Sequence, residues 1–460
     1  MGKNSSNTPH SIERIQQWKE WDHRYIWRPF TQMQDYDQEP PLIISHGRGA
    51  YLYDIDGNRY FDGISSLWVN LHGHARPEIT EAIARQAANI SHSTLLGQGN
   101  IPSIELAKRL VDLTPPGLDK VFYSDNGSTA NEVALKMAFQ YWRQVGRPEK
   151  MKFVTFDGAY HGDTIGSVSL GGIDLFHGIF GPLLFKRCSA PYPVFSKYTS
   201  QESPQAVAQR SLDAVKSIFK QHNNQIAALI VEPLIQGASG IRTAAPGFLS
   251  SLRELCTRYD VLMICDEVFV GFGRTGAMFA CEHESVSPDF LCLAKGISGG
   301  YLPLAATLTA QKIYDAFLGD YAEFKAFYHG HSYTGNQLGC SAALASLDIF
   351  ETDGVLNRIK PFCKRLEERL DALFEQCDLV GDIHQRGPSA GIDIIRSRRG
   401  REPFRPAEKM GAKACLALRK HGIWLRPLGD TLVIIPPLVT TVEQIDDLMD
   451  AVEQVLKELQ

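Results

Sequence analysis

The chain lacks most of the features that would place it outside the ordinary globular proteins. No stretch reaches the roughly 20 consecutive apolar residues that a membrane-spanning helix needs. The formal net charge is only −5, and no long run of one sign interrupts it. That balance offers no footprint for nucleic acid or an anionic membrane surface. The nine cysteines are odd in number, scattered and never spaced C-x-x-C, which argues against a disulfide framework. Several of them, such as Cys265 and Cys292, lie inside apolar runs and read as small buried hydrophobes in a reducing compartment. The opening MGKNSSNTPHSIERIQQWKEWDHRY has no apolar core of a secretory signal. Gly2 and Ser6 fit the loose N-myristoylation pattern, with no second anchoring signal beside them. Internal repeats and low-complexity segments are also missing. A cytoplasmic protein is expected.

What is present suits a large core. The 460 residues are 44% hydrophobic and 22% charged, enough for two or three domains. AYLYDIDGNRYFD, around Asp56-Gly57-Asn58, predicts a hairpin. Helical spacing follows Pro77, and a second helix is predicted from Pro102 to Leu113. From there short apolar runs alternate with helices: VFYSD, FVTF, AALIVE, VLMICDE, FLCLA and LPLAATLT as strands, with STANEVALKMAFQYW and PGFLSSLRELCTRYD as helices. Strands apolar on both faces and separated by helices predict an α/β domain with a mainly parallel sheet. Beyond about Gly339 a long helix-forming stretch, strand-like GDIHQRGPSAGIDII, IWLRP and LVIIPP, and a final helix predict a smaller α+β domain. The expected layout is an N-terminal segment (1–75) joining the small domain, a large α/β domain (76–340) and the small domain (341–460).

Ligands of open parallel sheets bind at the carboxyl ends of the strands, so the residues just past each apolar run carry the chemistry. After VFYSD, Asn126-Gly127-Ser128-Thr129 opens the long helix, a place for a phosphate on a helix N-terminus or for an ordinary N-cap. After FVTF, Tyr160 and His161 sit on a loop between two glycines, where an aromatic ring can stack on a flat cofactor or simply lie on the surface. After VLMIC stands Asp266, a carboxylate at the end of a buried strand that needs a cation, a donor or a turn to cap. Its neighbours Val268 and Phe269 are not metal ligands, so no metal is expected. After FLCLA comes Lys295, a candidate Schiff-base nucleophile if desolvated, or a lysine snorkelling to the surface. An anion site, a stacking face, a carboxylate and a lysine, in that order on successive sheet units, form the inventory that pyridoxal 5′-phosphate requires. GFGRTG matches the dinucleotide-binding pattern, but it follows Asp266-Glu267 with no helix opening after it, which argues against an oxidoreductase. Glu267, pointing the opposite way from Asp266, is expected to be structural.

DEVFVGFGRTG followed by PDFLCLAKGISGGYLPLAA resembles the signature of the class III (ω-amino) aminotransferases. YSDNGSTANEVALKMA, GAYHGDT, VEPLIQGASG and HSYTGNQLGCSAAL fall where that family has its other motifs, so the resemblance covers essentially the whole chain. It implies a fold-type I pyridoxal-phosphate-dependent transferase. Lys295 would carry the cofactor, Asp266 would pair with its ring nitrogen, Gly127 and Ser128 would bind its phosphate, and Tyr160 would stack on its ring and line the substrate site. His331 and Ser332 would reach the phosphate in the other subunit of a homodimer. WRPFTQM, DGISSLWVNLHGH, HSTLLG and LRPLGDTLVIIPPL resemble the branch of the family that aminates 8-amino-7-oxononanoate in the biotin pathway. For that branch Gly330 would lie beside the substrate, Arg426 would hold its carboxylate, and Phe30, Leu67 and Trp68 would line its channel. Leu67 replaces the first member of a Trp-Trp pair and Phe30 replaces a tyrosine, which resembles the Bacillus-type members and tilts the amino donor from S-adenosylmethionine toward lysine. Other ω-amino acid or diamine aminotransferases, and a non-catalytic binding protein, are the rival readings.

Overall fold

The computed structural model describes residues 11–37 and 39–460; the Gly2 and Ser6 acylation pattern lies outside the described residues. Seven strands form the central sheet, in the spatial order Lys120–Ser124, Ala305–Thr309, Phe290–Leu293, Leu262–Asp266, Ile226–Val231, Lys152–Phe156 and Cys188–Ala190. All neighbours are parallel except Ala305–Thr309, which runs antiparallel to both of its own. The apolar run LPLAATLT does not encode that reversal. It follows from the connection, because the chain from Leu293 to Ala305 holds only the 3₁₀ turn Lys295–Ser298 and not the helix that a parallel crossover uses. The middle strands IAALIV, LMICD and FLCL are buried along their whole length, as unbroken apolar runs require in a sheet covered on both faces. The helix Gly127–Gln144 lays Val133, Ala134, Met137 and Ala138 on the sheet, and Trp142 Nε1 donates to the Ala227 carbonyl at 2.8 Å.

The predicted hairpin pairs Tyr51–Asp54 with Arg59–Asp62. The Asp54 carboxylate closes its turn by accepting from the backbone N–H groups of Asp56 and Asn58. Ile44–Arg48 extends this sheet at one edge and Ile423–Trp424, from near the other end of the chain, at the other. A third sheet orders Val380–Arg386, Ser389–Ile394, Thr431–Ile434 and Pro427–Leu428, all antiparallel. GDIHQRGPSAGIDII is thus two strands reversing at Gly387 (φ 57°). The long helical stretch divides into Gln337–Thr352, Val355–Arg358 and Lys360–Gln376, with the first break at Gly354 (φ 55°). Among the described residues, no helix is long and apolar enough to cross a membrane.

The glycine-rich turn after Glu267 is a buried joint. Arg274 within it is almost wholly buried and donates from Nη1 to the Pro436 carbonyl at 2.8 Å and from Nη2 to the Asn70 carbonyl at 2.9 Å. Burial pushes this guanidinium down to about 9, against the pull of Asp62. Gly273 (φ 87°) holds a left-handed backbone conformation in which any side chain would be strained, and a Cβ there would press on Leu438 Cδ1 at 2.8 Å. Arg274→Ala removes both bonds, strands two buried carbonyls and opens a cavity. The expected loss is roughly 2–4 kcal/mol of unfolding free energy, read as a lower urea midpoint. An unchanged midpoint would show that the joint carries no stability.

Candidate active site

At the carboxyl ends of the parallel strands lies a cavity of about 730 Å³. Its walls come from the loops after Lys120–Ser124, Lys152–Phe156, Ile226–Val231, Leu262–Asp266 and Phe290–Leu293, with Trp68 and Val69 added from the N-terminal part of the chain. It brings together six of the residues singled out in the sequence: Trp68, Gly127, Ser128, Tyr160, Asp266 and Lys295.

The anion end is built first. Asn126 caps the helix Gly127–Gln144, its Oδ1 accepting from Thr129 N at 3.0 Å while Thr129 Oγ1 accepts from Asn126 N at 3.1 Å. The cap satisfies one of the N–H groups that a helix start cannot pair internally; the rest of the first turn and the positive dipole end remain suited to an anion. Gly127 is obligatory, because a Cβ there would collide with Val268 Cγ1, and a Cβ on Gly162 (φ 116°) would collide with Ser128. The two glycines let three loops close on one point.

Tyr160 presents its ring to the cavity. Its N–H donates to Glu232 Oε1 at 3.0 Å and its hydroxyl to Asp163 Oδ2 at 2.7 Å. Burial pushes the phenol well above its ordinary value, so it stays protonated. Asp266 ends its strand with both oxygens held: Oδ1 accepts from Val268 N at 3.0 Å, and Oδ2 meets Asn131 Nδ2 at 2.8 Å and His161 Nδ1 at 2.7 Å. Lys295 sits two residues past its strand in a left-handed backbone conformation (φ 44°), strain of a kind that collects at functional sites. Its Nζ lies 4.7 Å from the Trp68 ring centre and 5.6 Å from that of Phe269, and it has no hydrogen bond or ion pair among the described residues. Burial pushes the amine down to about 8, against the pull of Asp266 and Glu232. A lysine in this condition is available as a nucleophile and a base.

Trp68 is delivered by a strained turn in which Ser65, Ser66 and Trp68 have φ of 49°, 63° and 67°. Asp62 holds that turn, with Oδ1 accepting from Ser66 N and Oδ2 from Ser66 Oγ, each at 2.9 Å. The remaining sequence candidates lie outside the cavity wall. Phe30 is exposed and edge-on to Phe176 at 5.4 Å, and Leu67 is exposed beside Trp68. Arg426 is also exposed and donates from Nη2 to the Phe30 carbonyl at 2.9 Å. Gly330, His331 and Ser332 form a loop in which the Ser332 carbonyl pairs with His92 Nε2 at 2.7 Å and His331 Nδ1 lies 3.8 Å from Asp125. Glu267 turns away from the cavity and accepts from Ala280 N at 2.6 Å and Cys281 N at 2.8 Å, pinning the next turn of chain. Burial pushes its carboxyl up to about 7.

Sequence reasoning passed over Glu232, which ends the apolar run IAALIV as Asp266 ends LMIC and could have been found by the same signal. It accepts from Tyr160 N and from Gly237 N (2.9 Å), and burial pushes it up to about 7. Asn131 carried no signal, since a polar residue within a helix ordinarily faces solvent. Among the described residues, no group of three or more His, Cys, Asp or Glu could hold a metal ion.

A sequence profile of aminotransferase class-III matches residues 32–456. The chain belongs to this class of aminotransferases. The adenosylmethionine-8-amino-7-oxononanoate aminotransferase of Geobacter sulfurreducens is 52% identical to it over 437 residues, 95% of this chain and 96% of that one. The crystal structure of the enzyme of that name from Methanocaldococcus jannaschii superposes with a TM-score of 0.91 at 45% identity, covering 96% and 99% of the two chains. An amine transaminase from an uncultivated Pseudomonas species, solved in a pyridoxal-phosphate-bound form, superposes at 0.89 with 33% identity over 95% and 99%. Class III aminotransferases, this one included, are pyridoxal-phosphate-dependent transaminases of α/β fold.

Proposed function

We propose that this aminotransferase converts 8-amino-7-oxononanoate into 7,8-diaminononanoate, the diamine-forming step of biotin synthesis, with S-adenosylmethionine or lysine as amino donor. The observation that carries this reading is the likeness, at 45–52% identity across nearly the whole chain, to enzymes named for that substrate. Another ω-amino acid or diamine as substrate is the alternative within the same class.

The cavity fits pyridoxal 5′-phosphate on its own chemistry. A helix start that tolerates no Cβ at Gly127 suits the phosphate, a carboxylate with both oxygens already oriented suits a protonated ring nitrogen, and a lysine without a polar partner suits the aldehyde. When bound, the cofactor supplies a carbonyl carbon that takes the amine and a ring that accepts the electrons left on the adjoining carbon. Gly127 and Ser128 would hold the phosphate, Tyr160 would stack on the ring, Asp266 would keep the ring nitrogen protonated and Lys295 would attach the cofactor. Once the incoming amine has replaced it, Lys295 Nζ would be the base that moves the proton from the amine-bearing carbon to the cofactor in one half of a ping-pong cycle and from the cofactor to the acceptor carbon in the other. Arg426 would grip the substrate carboxylate in a bidentate pair, and Phe30, Leu67 and Trp68 would line the channel for its chain. Gly330 would lie beside the substrate, and His331 and Ser332 would complete the phosphate site of a second copy, making the working unit a homodimer. In this reading 76–340 is the cofactor-binding domain and 341–460 the smaller one, joined by 1–75; the pairing of Ile423–Trp424 with Arg59–Asp62 supports that join.

The test is to give the purified protein 8-amino-7-oxononanoate with either donor and follow the diamine by mass spectrometry. Diamine is expected with one donor or both. No diamine with either donor, together with turnover of ornithine or another ω-amino acid, would overturn the substrate assignment.

A further inference from the structure

Asp266 would make one of its hydrogen bonds at any strand end, since the Val268 N–H two residues on reaches Oδ1 locally. The bonds to Oδ2 are different. They come from two segments distant in sequence, Asn131 on the helix Gly127–Gln144 and His161 on the loop that carries Tyr160. All three side chains are buried, Asp266 with 4% of its surface exposed and Asn131 and His161 with 1% each. Asn131 Nδ2 also donates to the His161 carbonyl at 2.9 Å, so carboxylate, amide and loop close a triangle. We infer that His161 and Asn131 are positioning residues for transamination, fixing the orientation of the Asp266 carboxylate; this rests on the reading of Asp266 as the partner of the cofactor's ring nitrogen.

The direction of the His161 bond follows from its partner. Its Nδ1 faces a carboxylate oxygen that can only accept, so Nδ1 bears a proton and donates. The arrangement parallels the outer donors that orient ligands at metal sites and whose loss costs roughly 10–100-fold in affinity or activity. Here the oriented group is a carboxylate facing a ring.

The experiment compares wild type with His161→Leu, His161→Asn and Asn131→Ala. For each, the dissociation constant for pyridoxal 5′-phosphate is measured by titrating apoenzyme, and the first half-reaction by stopped-flow absorbance with the amino donor. His161→Leu is expected to weaken cofactor binding and slow the half-reaction, each by roughly 10–100-fold. His161→Asn, whose amide N–H reaches where Nδ1 does, should recover to within about fivefold of wild type, a rescue that a merely space-filling role does not produce. Wild-type values in His161→Leu, or His161→Asn as impaired as a folded His161→Leu, would overturn the proposal. If His161→Leu does not fold, Asn131→Ala decides it: roughly tenfold loss in both measurements supports the proposal and unchanged values overturn it. Asp266→Asn run alongside separates the two levels, because near-normal rates in that variant would sink the ring-nitrogen reading itself.

Discussion

Lys295→Ala is expected to eliminate turnover while leaving the fold intact. Lys295 is the only lysine on the cavity wall among the described residues, so no neighbour can take over attachment of the cofactor or transfer of the proton. Loss of a general base alone costs roughly 10²–10⁴-fold, and loss of the attachment adds to it. The structural cost is small for a stated reason. Nζ has aromatic rings near it and no polar partner, so truncation strands no donor or acceptor. Alanine also carries a Cβ, so the strain at φ 44° is the same in both proteins. The purified variant should lose the yellow absorbance of a lysine-bound cofactor, keep its circular dichroism and show no diamine formation. Normal activity would remove the central claim.

Asp266→Asn carries the second large effect. The amide is the same size but cannot hold a proton on a ring nitrogen by charge, and the loss of such oriented electrostatic stabilisation costs roughly 10²–10³-fold in kcat. The surroundings sharpen the expectation. Asn131 Nδ2, His161 Nδ1 and Val268 N all point donors at the carboxylate. Whichever way the new amide turns, its NH₂ meets at least one of them. Shifting the imidazole proton to Nε2 relieves His161 only by leaving that proton unpaired. The variant should therefore retain some cofactor, bind it more weakly, and lose most of its half-reaction rate. A stopped-flow rate near wild type would show that the ring-nitrogen assignment is wrong.

Much of this site was legible in the chain because the signal is physical. An apolar run that ends abruptly on a polar residue must end at the rim of a buried sheet, and Asp266 and Lys295 do so at neighbouring strands of one cavity. Glu232 obeys the same rule, since it closes the run AALIVE that the sequence already marks as a strand. Phe30 and Arg426 were named separately, and nothing local reveals that the Arg426 guanidinium binds the Phe30 carbonyl. The direction of Ala305–Thr309 was hidden too, since an apolar strand reads the same both ways.

By itself the sequence determined which runs are buried, where each stops and which chemical group stands at the stop, because period, run length and glycine placement are local properties of the chain. Only the tertiary structure decided which groups meet. His161 and Asn131 converge on Asp266, Arg274 ties Asn70 to Pro436, and Ile423–Trp424 completes a sheet begun at Ile44–Arg48. Contacts of that separation depend on how whole elements pack, which no window of local sequence contains.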